Sequence, residues 1–162
     1  MPTISQKISP FLWFDGQAEE AVTFYASVFK NAKIGKIVRN PEGGPGPAGS
    51  ALVVPFEIEG MKFTALNGGP RFKFTEAVSF VVNCDGQEEV DHYWDGLLAD
   101  GGQAQACGWL KDRYGLSWQI VPVVAFEMMA DPDPVKAGRV MQQLWSMVKL
   151  DIAPLRKAYE GN

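Results

Sequence analysis

Histidine and cysteine are nearly missing from this chain of 162 residues, which has 1 His and 2 Cys. That scarcity excludes several chemistries at once. With His92 as the lone imidazole and no Gly-x-Ser-x-Gly elbow, hydrolase triads have no support. Cys84 and Cys107 lie far apart with no Cys-x-x-Cys spacing, which argues against a zinc knuckle or a disulfide framework, and both are expected as reduced thiols in or near strands. No uninterrupted apolar run approaches the roughly 18 residues of a spanning helix, and residues 1–9 carry no secretory apolar region. A cytoplasmic protein without a membrane partner is expected. Excess positive charge is absent too: 15 Lys and Arg against 19 Asp and Glu give a net charge of −4, with no basic patch to follow a phosphate backbone and so no expected nucleic-acid partner.

What is abundant is apolar surface. Hydrophobic residues make up 46% of the chain, enough for one sizeable core or two small fused halves. An internal repeat favours halves. Phe11-Leu12-Trp13-Phe14-Asp15-Gly16-Gln17-Ala18-Glu19-Glu20 is answered, with one residue slipped, by Phe80-Val81-Val82-Asn83-Cys84-Asp85-Gly86-Gln87-Glu88-Glu89. Each copy is an apolar β-type run followed by an aspartate suited to capping a helix, and Asp85 with Glu88 has capping-box spacing.

The first helix carries Ala18, Ala21, Val22, Tyr25, Val28 and Phe29 on one stripe; the second carries Val90, Tyr93, Trp94, Leu97 and Leu98 and stops at Gly101-Gly102. Strand patterns follow each helix. Residues 33–39 read as one strand, the Pro- and Gly-rich stretch 41–47 as a loop, and residues 50–58 and 61–67 as a hairpin. The second copy repeats the hairpin with 104–111 and 116–122, whose turn at Lys111, Asp112 and Arg113 reads as a solvated charged loop. After these, Asp133-Pro134 starts an apolar-striped helix with Ala137, Val140, Met141, Leu144 and Met147, and a shorter helix runs from Asp151 to near Tyr159. The reading is α+β, two β-α-β-β-β repeats over residues 1–70 and 71–122 with a helical extension over 123–162, all in one compact domain.

Four segments sharpen this. The run from Phe11 to Ala21, Leu66-Asn67-Gly68-Gly69-Pro70, the run Ala77-Val78-Ser79-Phe80-Val81-Val82, and the run from Gly108 to Pro122 resemble the PhnB-like family, catalogued as 3-demethylubiquinone-9 3-methyltransferase-like, of the glyoxalase, bleomycin-resistance and dioxygenase (vicinal oxygen chelate) superfamily. The resemblance implies two strongly curved mixed sheets enclosing a cavity, and a homodimer. It also implies positions for a divalent ion, on the first and last strand of each half. Alignment on the helix aromatics and hairpin turns puts Pro10, Ala65, Ser79 and Gln119 there, a set too poor in charge and imidazole for a tight metal site. No metal and no cofactor are expected, and His92, mid-helix and opposite the apolar stripe, reads as solvated.

Strand parity extends the site, because alternate residues face one way and a one-residue slip reverses the set. Leu12, Phe14, Phe63, Asn67, Ser79, Ser117 and Gln119 share the parity of the lost ligand positions and are the candidate ligand-binding residues, a mostly apolar cleft with amide and hydroxyl groups. Neither Gly68-Gly69-Pro70 nor Gly43-Gly44-Pro45 sits between a strand and a helix start, and the order of elements builds no doubly wound sheet, so phosphate cradling and methyl transfer are not expected. The expected function is metal-independent binding of a small molecule; the alternative is a metal-dependent lyase, isomerase or dioxygenase-type enzyme with non-standard ligands such as Asp15, Asp85 or His92. Weakly charged edge strands at 50–56 and 104–109, with the apolar helix at 134–149, are the expected homodimer surfaces.

Overall fold

The computed structural model describes residues 2–162, which fall into two units, the first ending at Lys73 and the second running from Phe74 to Asn162. In the first unit β1 (Phe11–Phe14) leads into α1 (Ala18–Val28), followed by β2 (Ala32–Ile34), β3 (Val38–Arg39), β4 (Ala51–Ile58) and β5 (Met61–Asn67). Their sheet runs β1-β5-β4-β2, with β3 also on β4; β1 is parallel to β5 and the other pairs are antiparallel. In the second unit β6 (Ser79–Cys84), α2 (Gln87–Leu98), β7 (Gln103–Ala104), β8 (Trp109–Lys111) and β9 (Ser117–Pro122) give the order β6-β9-β8-β7, again with one parallel pair, β6 on β9. This is the expected α+β architecture of two repeated β-α-β-β-β units.

Strand 33–39 is broken in two for a chemical reason. The Gly35 amide donates to the Pro55 carbonyl at 2.8 Å, but Pro55 has no amide to return, so the β2 ladder ends there and β3 resumes with a register shift against β4. The 104–111 run is broken as well. Cys107 and Gly108 both take positive φ, and their amides donate to the Met147 and Val148 carbonyls, which anchors the chain end to this bend. Residues 50–56 are not an edge, since β4 lies between β5 and β2–β3; Trp109 starts the interior strand β8, and only Ala104 of that stretch belongs to an edge strand.

Both helices begin without an aspartate cap. Gln17 and Gly86 stand at the N-cap positions with no side-chain cap bond, and Glu89, rather than Glu88, reaches back to the Asp85 amide at 2.8 Å. At the end of β9 a further helix, α3 (Val123–Met129), follows directly, inside the stretch expected as a helical extension but ahead of the helix read from Asp133. Then come α4 (Pro134–Trp145), capped by Asp133 onto the Val135 amide at 2.9 Å, and α5 (Ile152–Glu160), capped by Asp151 onto Ala153. Ala125, Met128, Val140 and Leu155 form a core shared by α3, α4 and α5, so much of the α4 stripe is covered within its own chain. No helix among the described residues is long and apolar enough to cross a membrane.

Candidate functional site

Each sheet has a side that its helix covers and an opposite, open side, and the residues that meet the helix tell them apart. In the first unit Tyr25 of α1 stacks on Phe56 (6.2 Å between centroids), Phe56 stacks on Phe63 (5.1 Å), and the Ala18 amide donates to Asn67 Oδ1 at 2.8 Å. Phe63 and Asn67 therefore face α1, and so do Ala65 and Leu12, which pair in register, and Phe14, which pairs with Asn67. Leu12, Phe14, Phe63 and Ala65 are buried core. Asn67 is fully engaged as a helix cap, its Nδ2 also donating to the Ala51 carbonyl at 2.9 Å.

In the second unit Leu110, Trp118 and Ile120 are the buried helix-side set, together with Val90, Tyr93, Trp94 and Leu97 of α2. Ser79, Ser117 and Gln119 take the opposite face. There Gln119 Nε2 donates to Ser79 Oγ at 2.9 Å, and Ser117 is completely buried with a hydroxyl that meets no partner. Lys111, paired in register with Ser117, forms an ion pair with Glu76, which also accepts from Gln105; the ammonium holds the Glu76 carboxyl below the ordinary carboxylate range. So the structure brings together three of the seven sequence-derived site residues and puts the other four, Leu12, Phe14, Phe63 and Asn67, on the helix side of the first sheet.

The cause is where the repeat slips. The turn from β1 to α1 has three residues, Asp15–Gln17, against two, Asp85 and Gly86, between β6 and α2. Asp15-Gly16-Gln17 thus matches Asp85-Gly86-Gln87 without a gap, and Ala18 is the extra residue. Carried back along the strands, this puts Phe14 on Cys84, both buried, and Phe11 on Val81. Ser9 then matches Ser79, and Thr64, opposite Phe11, matches Gln119, opposite Val81. Pro10 and Ala65 are displaced from the ligand positions by Ser9 and Thr64. Both line a pocket of about 320 Å³ on the open face of the first sheet, together with Lys33, Glu57 and Lys62, which are cross-strand neighbours.

None of the four ligand positions, Ser9, Thr64, Ser79 and Gln119, supplies a carboxylate, thiolate or imidazole. Among the described residues no three of His, Cys, Asp and Glu come together to hold a metal ion. Asp15 and Asp85 are exposed in their turns, and His92 is exposed with its ring edge-on to Tyr93. The donor set does not fit a divalent ion.

A larger cleft, of about 600 Å³, opens in the first unit at the carboxyl ends of β1 and β5. Trp13 forms a wall of it, fixed by a bond from Nε1 to the Gly69 carbonyl at 2.9 Å and by the edge of Phe72 at 4.9 Å; a Cβ on Gly68 would collide with the indole. Its rim is loop 41–49, closed at the neck where the Asn40 amide donates to the Ser50 carbonyl and Gly49 to that of Asn40, each at 2.8 Å.

The description "3-demethylubiquinone-9 3-methyltransferase" belongs to the family model that matches residues 6–121, so the match ends before α3–α5. A Bacillus cereus structure described with the same activity, and as a PhnB protein, is 37% identical, with a TM-score of 0.67 over 72% of this chain and 99% of that one. A Pseudomonas aeruginosa protein gives 20% identity and a TM-score of 0.59 over 73% and 98%. The fosfomycin resistance protein FosX of Listeria monocytogenes, solved with Mn(II) and sulfate, gives 18% and 0.51 over 73% and 92%, a likeness of fold. No curated protein matches the chain.

Proposed function

The chain belongs to the 3-demethylubiquinone-9 3-methyltransferase family, PhnB-like proteins of the vicinal oxygen chelate superfamily, and on that premise we propose that it binds a small organic molecule through neutral hydroxyl and amide groups, without a metal ion and without methyl transfer. The observation that carries this reading is the Ser79–Gln119 hydrogen bond beside the unpartnered Ser117 hydroxyl, three neutral polar groups on one face of β6 and β9. A buried hydroxyl without a partner is uncommon and invites a ligand atom. Gln119 keeps its Oε1 available as an acceptor while its Nε2 is held by Ser79, so the amide presents one defined orientation.

Metal-dependent relatives in the superfamily use His and Glu where this chain has Ser9, Thr64, Ser79 and Gln119. Methyl transfer from a nucleoside donor uses a doubly wound sheet with a Gly-rich turn after its first parallel strand, and neither sheet order here, β1-β5-β4-β2 or β6-β9-β8-β7, is doubly wound. A homodimer belongs to the same proposal, supported by Val135, Trp145 and Val148 on or just beyond α4, each more than half exposed.

The test is native mass spectrometry of the full chain, purified without chelator, against a library of neutral and anionic metabolites. A ligand retained by the wild type and lost in both Gln119→Ala and Ser79→Ala supports the reading. A stoichiometric divalent metal, or a ligand indifferent to both substitutions, overturns it.

A further inference from the structure

The cleft at the carboxyl ends of β1 and β5 has a different chemistry from the open face of β6 and β9. Of the residues lining it, Asp15 is the sole charged one, and its carboxylate makes no hydrogen bond or ion pair with any described residue. Arg39, the neighbour of the lining residue Asn40, is committed elsewhere: its guanidinium meets Glu19 at 3.3 Å and the Gly49 carbonyl at 3.3 Å. Asn40, only 6% exposed, lines the same cleft, and while its Nδ2 donates to Ser50 Oγ at 2.9 Å, its Oδ1 accepts nothing. A buried acceptor without a donor calls for one. The walls are aromatic and aliphatic, with Trp13 beside Leu52 and Leu66, and the volume of about 600 Å³ suits a molecule of metabolite size.

An indole ring, a free carboxylate and an orphan amide oxygen all favour positive charge, and the first also favours an apolar body next to it. We propose that this cleft is a second binding site, selective for a small organic cation: an ammonium group carried on a flat or aliphatic body. The ammonium pairs with Asp15, and the body lies against the Trp13 indole and the two leucines. Because Trp13 is already pinned through its Nε1, its ring is pre-ordered and binding costs little side-chain entropy.

The test follows the indole N–H resonance of Trp13 in the full-length protein, assigned with Trp13→Phe, during titration with 2-phenylethylammonium, 2-phenylethanol and phenylacetate. These probes share a ring and differ in charge. A charge-assisted hydrogen bond predicts a saturable shift with the cation and binding about tenfold tighter than phenylacetate. Asp15→Asn, an isosteric change at an exposed position, removes that preference, whereas Gln119→Ala leaves it unchanged and so separates this site from the one on β6 and β9. Equal binding of phenylacetate, no saturable response to the cation, or undiminished cation preference in Asp15→Asn overturns the assignment.

Discussion

The indole N–H of Trp118 donates to Asp112 Oδ2 at 2.9 Å, and both side chains are buried. The other carboxylate oxygen accepts the Tyr114 amide at 2.9 Å and the Leu116 amide at 3.1 Å. What reads in sequence as a solvated charged turn is thus organised around one buried anion, which closes the β8–β9 hairpin and orients the strand bearing Ser117 and Gln119.

Asp112→Ala should therefore destabilise the protein by about 3 kcal/mol or more, since it strands a buried indole N–H and two amides. Urea denaturation followed by Trp fluorescence measures this. A change below about 1 kcal/mol would mean that the carboxylate is dispensable.

Asn67→Ala removes the acceptor for the first amide of α1 and the donor to Ala51, and is expected to cost about 1–2 kcal/mol. Gln119→Ala, on the open face, should stay within about 0.5 kcal/mol of the wild type. Parallel unfolding curves check the contrast, and equal costs would contradict the division into helix side and open side.

Burial pushes the Cys84 thiol up to about 12, with the Glu89 charge adding to it, whereas Cys107 is half-buried at the bend before β8. At pH 8 a thiol reagent should label one cysteine quickly and the other only after unfolding. Peptide mapping identifies which, and rapid labelling of Cys84 in the native protein would refute the assignment.

Tyr159 donates to the Asp131 carboxylate, tying α5 to the turn before α4; this bond holds the Asp131 carboxyl below the usual range and raises the Tyr159 hydroxyl. The lowered carboxyl stabilises the fold above its unfolded pKa of about 3.9, and that gain fades as pH falls through the native value. The raised phenol contributes fully below about 10 and loses its contribution as pH climbs through its native value. Wild type minus Tyr159→Phe stability should be flat across neutral pH and shrink at both ends, as read from thermal melts; a difference independent of pH would break the linkage.

Trp145→Glu should convert the proposed dimer to a soluble monomer at micromolar concentration by light scattering, because Trp145 is 65% exposed and its removal spares the α3–α5 core. A wild type that is itself monomeric would refute the dimer.

The helices α1, α2, α4 and α5, the hairpin 50–67 and the aspartate caps of α4 and α5 were legible because each rests on local signals: 3.6-residue stripes, Pro and Gly punctuation, and Asp before Pro. The face of β1 was not. Strand facing depends on parity alone, and a gap placed before Asp15 instead of at Ala18 turned Leu12, Phe14, Phe63 and Asn67 to the wrong side; the unbroken match of Asp15-Gly16-Gln17 with Asp85-Gly86-Gln87 was the available clue. Asn40 and Asp112 were illegible in another way. A buried amide or carboxylate in a loop depends on long-range closure, and local composition marks such residues as solvated.

The extra residue at Ala18 also makes the two halves non-interchangeable parts. A chimera that grafts β6 together with its turn, Asp85-Gly86, in place of β1 and Asp15–Gln17 would leave the chain one residue short ahead of α1, and the mismatch would be absorbed by rotating the graft so that Cys84 and Val82 point outward. Recombination between such halves must move strand, turn and helix as one block, so the turn sets the unit in which this fold can be cut and rejoined.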